Sequence, residues 1–474
     1  MSVRGHLTRQ LVVACGICLL SSLMFGYDAG ILGGIIAQED FVQRFFPGVS
    51  TMPESSNNVY CSTEYLLLSF WVGLFFLGMM FGSIVGSFLS KRLGRLILMR
   101  ISGFLLMIAY ALYCAGVNVA MMFVARSIQG TAIGFGSQCV PVFLAEVSPI
   151  EIRGSISSLY GFGASFGTFG GNLINLAVHS VNQAWRISFG IGIIPSGILF
   201  IGSFFISDSP HSLLSRGQVK EAEEALSIYR KKSDTCGIGM VSAEFESLVN
   251  EVDLEHHSNP WKLITMKKYR GQLCTPILVA FFATFSGLEA QFYFAPAIFN
   301  LLTDNLTTSL GYTSLVGFMF VAGSIAHTLF ADQISRRRTL VVGALLMALA
   351  QSVEAILFAV FIPDGKTEYL SSGQAWGIVV TLMAFIFSWS WSWGPISFAI
   401  AAETQSLVTR DVGSSINVIV QSLCNFVLAF AYSSMICSWK YGTNIFFACI
   451  CAVSIVYTMA LLPETLHIDL VDSV

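Results

Sequence analysis

Long apolar runs separated by short polar breaks dominate the chain. A membrane-crossing helix needs roughly 20 mostly apolar residues, and twelve segments meet that demand: about 11–36, 64–89, 97–116, 119–144, 155–178, 187–207, 272–302, 310–331, 339–362, 373–402, 412–436 and 442–462. The first is too long for a cleaved leader and carries Asp28, so it is read as a retained span. The only long polar stretch, 208–271, divides the segments six and six. Inside it, Val219–Lys232 and Ser242–Leu254 read as short amphipathic helices. The expected organisation is a first half over 1–207 with an external lid at about 37–62, a cytoplasmic linker over 208–271, and a second half over 272–474.

Composition supports this reading. The 474 residues are 54% hydrophobic and only 11% charged, against about 25% charged for soluble domains. A water-exposed surface cannot be built from so little charge. Gly (42) and Phe (39) are abundant, as close helix packing in lipid requires. A net charge of −3 provides no basic field for nucleic acid.

The remaining charges give orientation. Of the 25 Lys and Arg, four (Arg44, Arg186, Lys366, Lys440) fall on one side and Arg126 lies within a span. The rest fall on the other side, which places both termini and the linker in the cytoplasm. The halves also echo each other. Glu146 and Arg153 follow the fourth segment, and Glu403 and Arg410 follow the tenth at the same spacing. Lys91-Arg92-Leu93-Gly94-Arg95 after the second segment matches Asp332-Gln333-Ile334-Ser335-Arg336-Arg337 after the eighth. Two matching six-helix halves are expected to rock around a site between them.

Several segments then carry a resemblance. They are Phe25-Gly26-Tyr27-Asp28, Pro141-Val142-Phe143-Leu144-Ala145-Glu146 with Ile152-Arg153-Gly154, Ser209-Pro210-His211-Ser212, Phe294-Ala295-Pro296, Trp391-Ser392-Trp393-Gly394-Pro395, Ser415-Ile416-Asn417-Val418 and Leu462-Pro463-Glu464-Thr465. In this order and spacing the chain resembles the sugar porters of the major facilitator superfamily, most of all the plant-type proton/monosaccharide symporters. The resemblance implies an all-α membrane protein of twelve helices in two halves, a helical cytoplasmic domain between them, and alternating access. It also implies a monomer in the plasma membrane, with a small solute and a proton as its partners and no cofactor. The charges at cytoplasmic helix ends (Arg95, Glu146, Arg153, Arg336, Arg337, Glu403, Arg410) would close the inner side as ion pairs. The plain alternative is that they are solvated charges that only set topology.

An ionisable residue inside a span costs on the order of 2.5–3.5 kcal/mol to insert, so function is its default reading. Asp28 and Arg126 stand where the symporters carry a proton acceptor and the Arg that tunes it. The chemistry suits the role, because a paired carboxylate stays ionised and an isolated one in a low dielectric holds its proton. A static salt bridge is the alternative. Glu289 lies in the seventh segment, where a cavity role competes with that of an accommodated, protonated bystander. His327 in the eighth reads as a helix-packing histidine.

The sugar-reading surface departs from the family pattern. With Phe25 and Thr168 also on the cavity, the position of an expected fifth-span Gln is Gly161. A Gln-Gln pair is replaced by Ala283-Thr284, and the Asn that follows by Glu289. The eighth-span Asn is Phe320, and the Trp after Gly-Pro is Phe398. In the eleventh span an Asn is Gln421 and a nearby Thr is Asn425. Amides are lost, and apolar surface and one carboxyl are gained. A monosaccharide leads as substrate; an apolar or amine-bearing solute, or a non-transporting sensor, is the alternative.

Other signals carry little. Gly163-Ala164-Ser165-Phe166-Gly167 matches a nucleophile elbow but lies inside an apolar segment without a His partner. Cys15 and Cys18 sit in the first span, and no metal site or phosphate-binding loop is evident. Of the eleven Cys, Cys61 and Cys437 would face the oxidising side, and the plant-type symporters pair cysteines at the matching places. Asn305-Leu306-Thr307 is an external glycosylation sequon.

Overall fold

The computed structural model describes residues 8–47, 66–149, 152–230, 244–249, 270–303, 305–330, 333–362, 370–404 and 410–462. The described residues are helical throughout, with no strand among them. Twelve spans run in order. The first four are Arg9–Ile36, Leu66–Leu93, Arg95–Ala115 and Val119–Val147. Span 5 is Leu159–Val178, and span 6 joins Ala184–Ile191 to Ile193–Gly202. Span 7 joins Arg270–Phe285 to Leu288–Thr303, followed by Leu306–Phe330 and Arg336–Phe361. Span 10 joins Ser372–Trp391 to Trp393–Glu403, and the last two are Arg410–Trp439 and Gly442–Ala460. Among the described residues, eleven stretches are apolar and long enough to cross a bilayer. The other, span 5, is diluted by glycine and by Asn172 and Asn175.

Within the first half, span 1 packs on span 5 and span 4 packs on spans 2 and 3. In the second half, span 9 packs on spans 10 and 12, span 8 on span 10, and span 7 on span 11. The halves meet along spans 2 and 11, spans 5 and 8, and spans 1 and 7. The seam between spans 5 and 8 is stitched by hydroxyls and an amide. Ser158 Oγ donates to Thr328 Oγ1 at 3.2 Å, Ser165 and Ser324 Oγ lie 2.6 Å apart, and Asn172 Nδ2 donates to the Thr313 carbonyl at 3.2 Å.

Two of the breaks have a local cause. At Gly287 φ is +93°, a conformation that disfavours a side chain, and a Cβ there would lie 2.9 Å from the Phe447 ring. In span 10, Pro395 has no N–H to give to the carbonyl of Trp391. That carbonyl instead accepts Nδ1–H of His327 from span 8, at 3.0 Å. His327 is buried and does pack between helices.

The linker begins with the helices Pro210–Leu214 and Val219–Tyr229. Residues 244–249 are helical within the expected second run. Of the expected lid, Glu39–Phe45 is a short helix. Phe41 and Phe45 pack on Trp185, and Phe41 and Phe46 on Trp71, so this piece is fixed to the first half.

Candidate functional site

The buried pair comes first. Span 1 brings Asp28 and span 4 brings Arg126 to full burial. Arg126 Nη1 donates to Asp28 Oδ1 at 2.6 Å. Gln129, one turn along span 4, donates Nε2 to the same oxygen at 2.9 Å and accepts Arg126 Nη1 on its Oε1 at 3.0 Å. Tyr110 and Tyr113 of span 3 hold Gln129 at 3.1 Å and 3.0 Å. The guanidinium stands 5.1 Å over the Trp71 ring and 4.8 Å over Phe75, contacts that favour a cation. The pair is one-pronged. Asp28 Oδ2 and Arg126 Nε and Nη2 have no partner among the described residues. One carboxylate oxygen is thus engaged, and the other accepts no hydrogen bond from the described residues.

Of the expected cavity residues, Phe398 and Gly161 meet the opposite half. Phe25 stacks on Phe75, with ring centroids 6.4 Å apart. Phe398 lies 5.6 Å from Tyr160, and a Cβ on Gly161 would sit 3.4 Å from Pro395. Phe320 packs between Phe292 at 5.7 Å and Trp389 at 5.9 Å. Thr168 is buried, with its hydroxyl turned to the Ala164 carbonyl of its own helix at 3.0 Å. Ala283 and Thr284 are buried, and the Ala283 carbonyl accepts the Trp389 indole N–H at 3.0 Å. Gln421 gives its amide to Asn417 Oδ1 at 2.8 Å. Asn425 is buried, and its Oδ1 has no partner among the described residues. Glu289 is half-buried in the first turn of the outer half of span 7. Tyr293, one turn on, is its hydrogen-bonding neighbour.

Two residues were missed in the sequence. Trp389, just before the break in span 10, packs its ring on Phe320 and gives its indole N–H to the Ala283 carbonyl. Glu354 of span 9 is buried with Gln351 and Gln291. Its signal was a carboxyl three residues after a Gln inside an apolar run.

Among the expected gate charges, Arg95 Nη2 meets Glu146 Oε1 at 2.5 Å. Ser209 Oγ donates to Glu146 Oε2 at 2.5 Å, and His211 Nδ1 lies 3.3 Å away from Oε1. Asp208 accepts the N–H of Ser209 at 2.9 Å and Arg216 Nη2 at 2.6 Å. Burial raises the Asp208 carboxyl above its ordinary value, outweighing Ser209 and Arg216. Among the described residues, this network joins elements of the first half to the start of the linker. Arg337 donates to the carbonyl of Met459 in span 12, and Arg336 is buried. The side chains of Arg153, Glu403 and Arg410 lie outside the described residues, as does Cys61. Cys437 is disulfide-bonded. Asn305 is exposed, and its side chain caps the next helix at Thr308 N, 3.2 Å away.

The family model described as "Sugar (and other) transporter" matches residues 13–473. The chain belongs to that family. Among relatives of this transporter, the sugar transport protein MST4 of Oryza sativa subsp. japonica is 31% identical, over 98% of this chain and 90% of its own. The H(+)/hexose cotransporter 1 of Parachlorella kessleri is 30% identical, over 98% of this chain and 86% of its own. Among solved structures, the xylose transporter XylE from E. coli, partially occluded and inward open, superposes with a TM-score of 0.78 at 20% identity, covering 97% of this chain and 99% of its own. That likeness establishes the major facilitator fold of twelve helices. The transporter is a multi-pass membrane protein and not an enzyme.

Proposed function

We propose that this transporter is a proton-coupled symporter of a small organic solute, with a monosaccharide as the leading substrate. The observation that carries this reading is the one-pronged Asp28–Arg126 pair, buried inside the first half with one carboxylate oxygen accepting no hydrogen bond from the described residues. While Arg126 faces Asp28, the carboxylate is stabilised ionised. When the guanidinium moves away, the low dielectric favours the protonated acid. Alternating access then carries the proton and solute together. The proton is the coupling ion, no cofactor takes part, and one chain suffices. The bilayer is the plasma membrane, with both termini cytoplasmic. The relatives' names, a sugar transport protein and a proton/hexose cotransporter, support the same reading.

A second reading, an apolar or amine-bearing solute, is favoured by Phe320, Phe398, Gly161 and Ala283, which offer no side-chain hydrogen bonds, and by Glu289. Uptake of labelled sugars and of organic amines, with and without an inward proton gradient, separates the two. Gradient-dependent hexose uptake supports the first reading. Gradient-dependent amine uptake without hexose uptake supports the second.

A further inference from the structure

Glu354 has no part in the pair at Asp28. It is the nineteenth residue of Arg336–Phe361, toward the external end of span 9. Arg338, the last of the Arg cluster on this helix, is about 24 Å away along the axis at 1.5 Å per residue. Glu354 is 5% exposed, Gln351 0% and Gln291 4%. Gln291 Nε2 reaches Gln351 Oε1 at 3.1 Å and Glu354 Oε2 at 3.5 Å. Gln291 Oε1 and Gln351 Nε2 have no partner among the described residues.

The elements around Glu354 bring these titratable or charged groups: Tyr432 from span 11, Glu289 and Tyr293 from span 7, Cys449, Cys451 and Tyr457 from span 12, and Lys440 in the turn between spans 11 and 12. No salt bridge to Glu354 is present among the described residues. An ionised carboxyl here bears the insertion cost of an intramembrane charge, offset by one amide.

The two glutamines fit either state of the acid. A carboxylate only accepts, and Gln291 presents Nε2 to it. A carboxylic acid donates. Turning the Gln291 amide over presents Oε1 to that proton, and turning Gln351 over lets its Nε2 donate to the same oxygen. Gln291 lies in the first turn after the Gly287 break, two residues past Glu289. The half-helix it belongs to packs on span 1, where a Cβ on Gly33 would meet Pro296 at 2.9 Å.

We propose that Glu354 is a second proton-binding site, whose occupancy sets the polarity of the Gln351–Gln291 chain and so latches the outer half of span 7. The step is a protonation: hydronium gives its proton to a carboxylate oxygen and leaves water. It holds whichever solute is carried.

Infrared difference spectra between acid and alkaline pH, taken on the full chain in lipid nanodiscs, test this without a substrate. The wild type shows a protonated-carboxyl band that Glu354→Gln removes and Asp28→Asn retains. Glu354→Asp keeps a band, and Gln291→Leu shifts its midpoint by roughly one pH unit, a tenfold change in proton affinity. A Glu354→Gln spectrum identical to wild type overturns the proposal. So does a Glu354→Gln protein that fails to fold, since a neutral side chain of that shape is one of the two states proposed.

Discussion

A Cβ on Gly26 would stand 1.7 Å from the carbonyl oxygen of Ala164, so spans 1 and 5 meet backbone to backbone beside Asp28. Neither partner is a flexible side-chain end that could give way. Gly26→Ala must therefore push the two spans apart, at a cost of about 1–3 kcal/mol or more by overpacking. The expected outcome is a lower melting temperature of the purified protein and reduced folded yield. Gly170→Ala on span 5 meets open space and should melt like wild type.

Asp208 gives the network around Arg95 and Glu146 a pH dependence. Its carboxyl is raised by burial above the ordinary 3.8, so the folded state binds the proton more tightly than the unfolded chain. The stabilising contribution is full below 3.8 and is lost as pH rises through the folded value. Asp208→Asn carries no such titration. The stability of Asp208→Asn relative to wild type, measured by thermal melts from pH 4 upward, should shift in favour of the variant as pH rises. A constant difference would contradict the assignment.

The twelve spans were legible because an apolar run of about 20 residues has few other places to go. The breaks in spans 7 and 10 were not, because hydrophobicity does not register a backbone turn at Gly287 or a carbonyl freed by Pro395 and taken by His327. Asp28 and Arg126 were legible as charges where charge is costly, but Gln129, which binds both, is an ordinary polar residue in the sequence. Glu146 and Arg95 were legible as gate charges, but not that they meet, one from the end of span 4 and the other from the start of span 3.

Cys437 is disulfide-bonded, and the resemblance to the plant-type symporters implies Cys61, outside the described residues, as the expected partner. Peptide mapping without reduction should recover the two as one linked species. Replacing both with Ser should weaken apparent affinity for the solute or alter its pH dependence. Recovery of both thiols free from surface protein would contradict the pairing.

Glu289 is the polar group that should set selectivity, since Ala283, Gly161, Phe320 and Phe398 leave discrimination to shape. Ionised, it attracts a cationic group; protonated, it donates one hydrogen bond. Glu289→Asn should change the relative uptake of hexoses, pentoses and organic amines. Rapid glucose uptake unchanged by the substitution would show that Glu289 does not read the substrate.

Asp28→Asn removes the titrating carboxyl of the 2.6 Å pair with Arg126 and keeps its shape. The most direct measurement compares solute accumulation in wild-type and Asp28→Asn vesicles under an inward proton gradient, with exchange of preloaded solute as the control. The account predicts that the variant exchanges solute but no longer concentrates it. A variant that still concentrates solute, with wild-type dependence on external pH, would contradict the assignment of Asp28 as the coupling site.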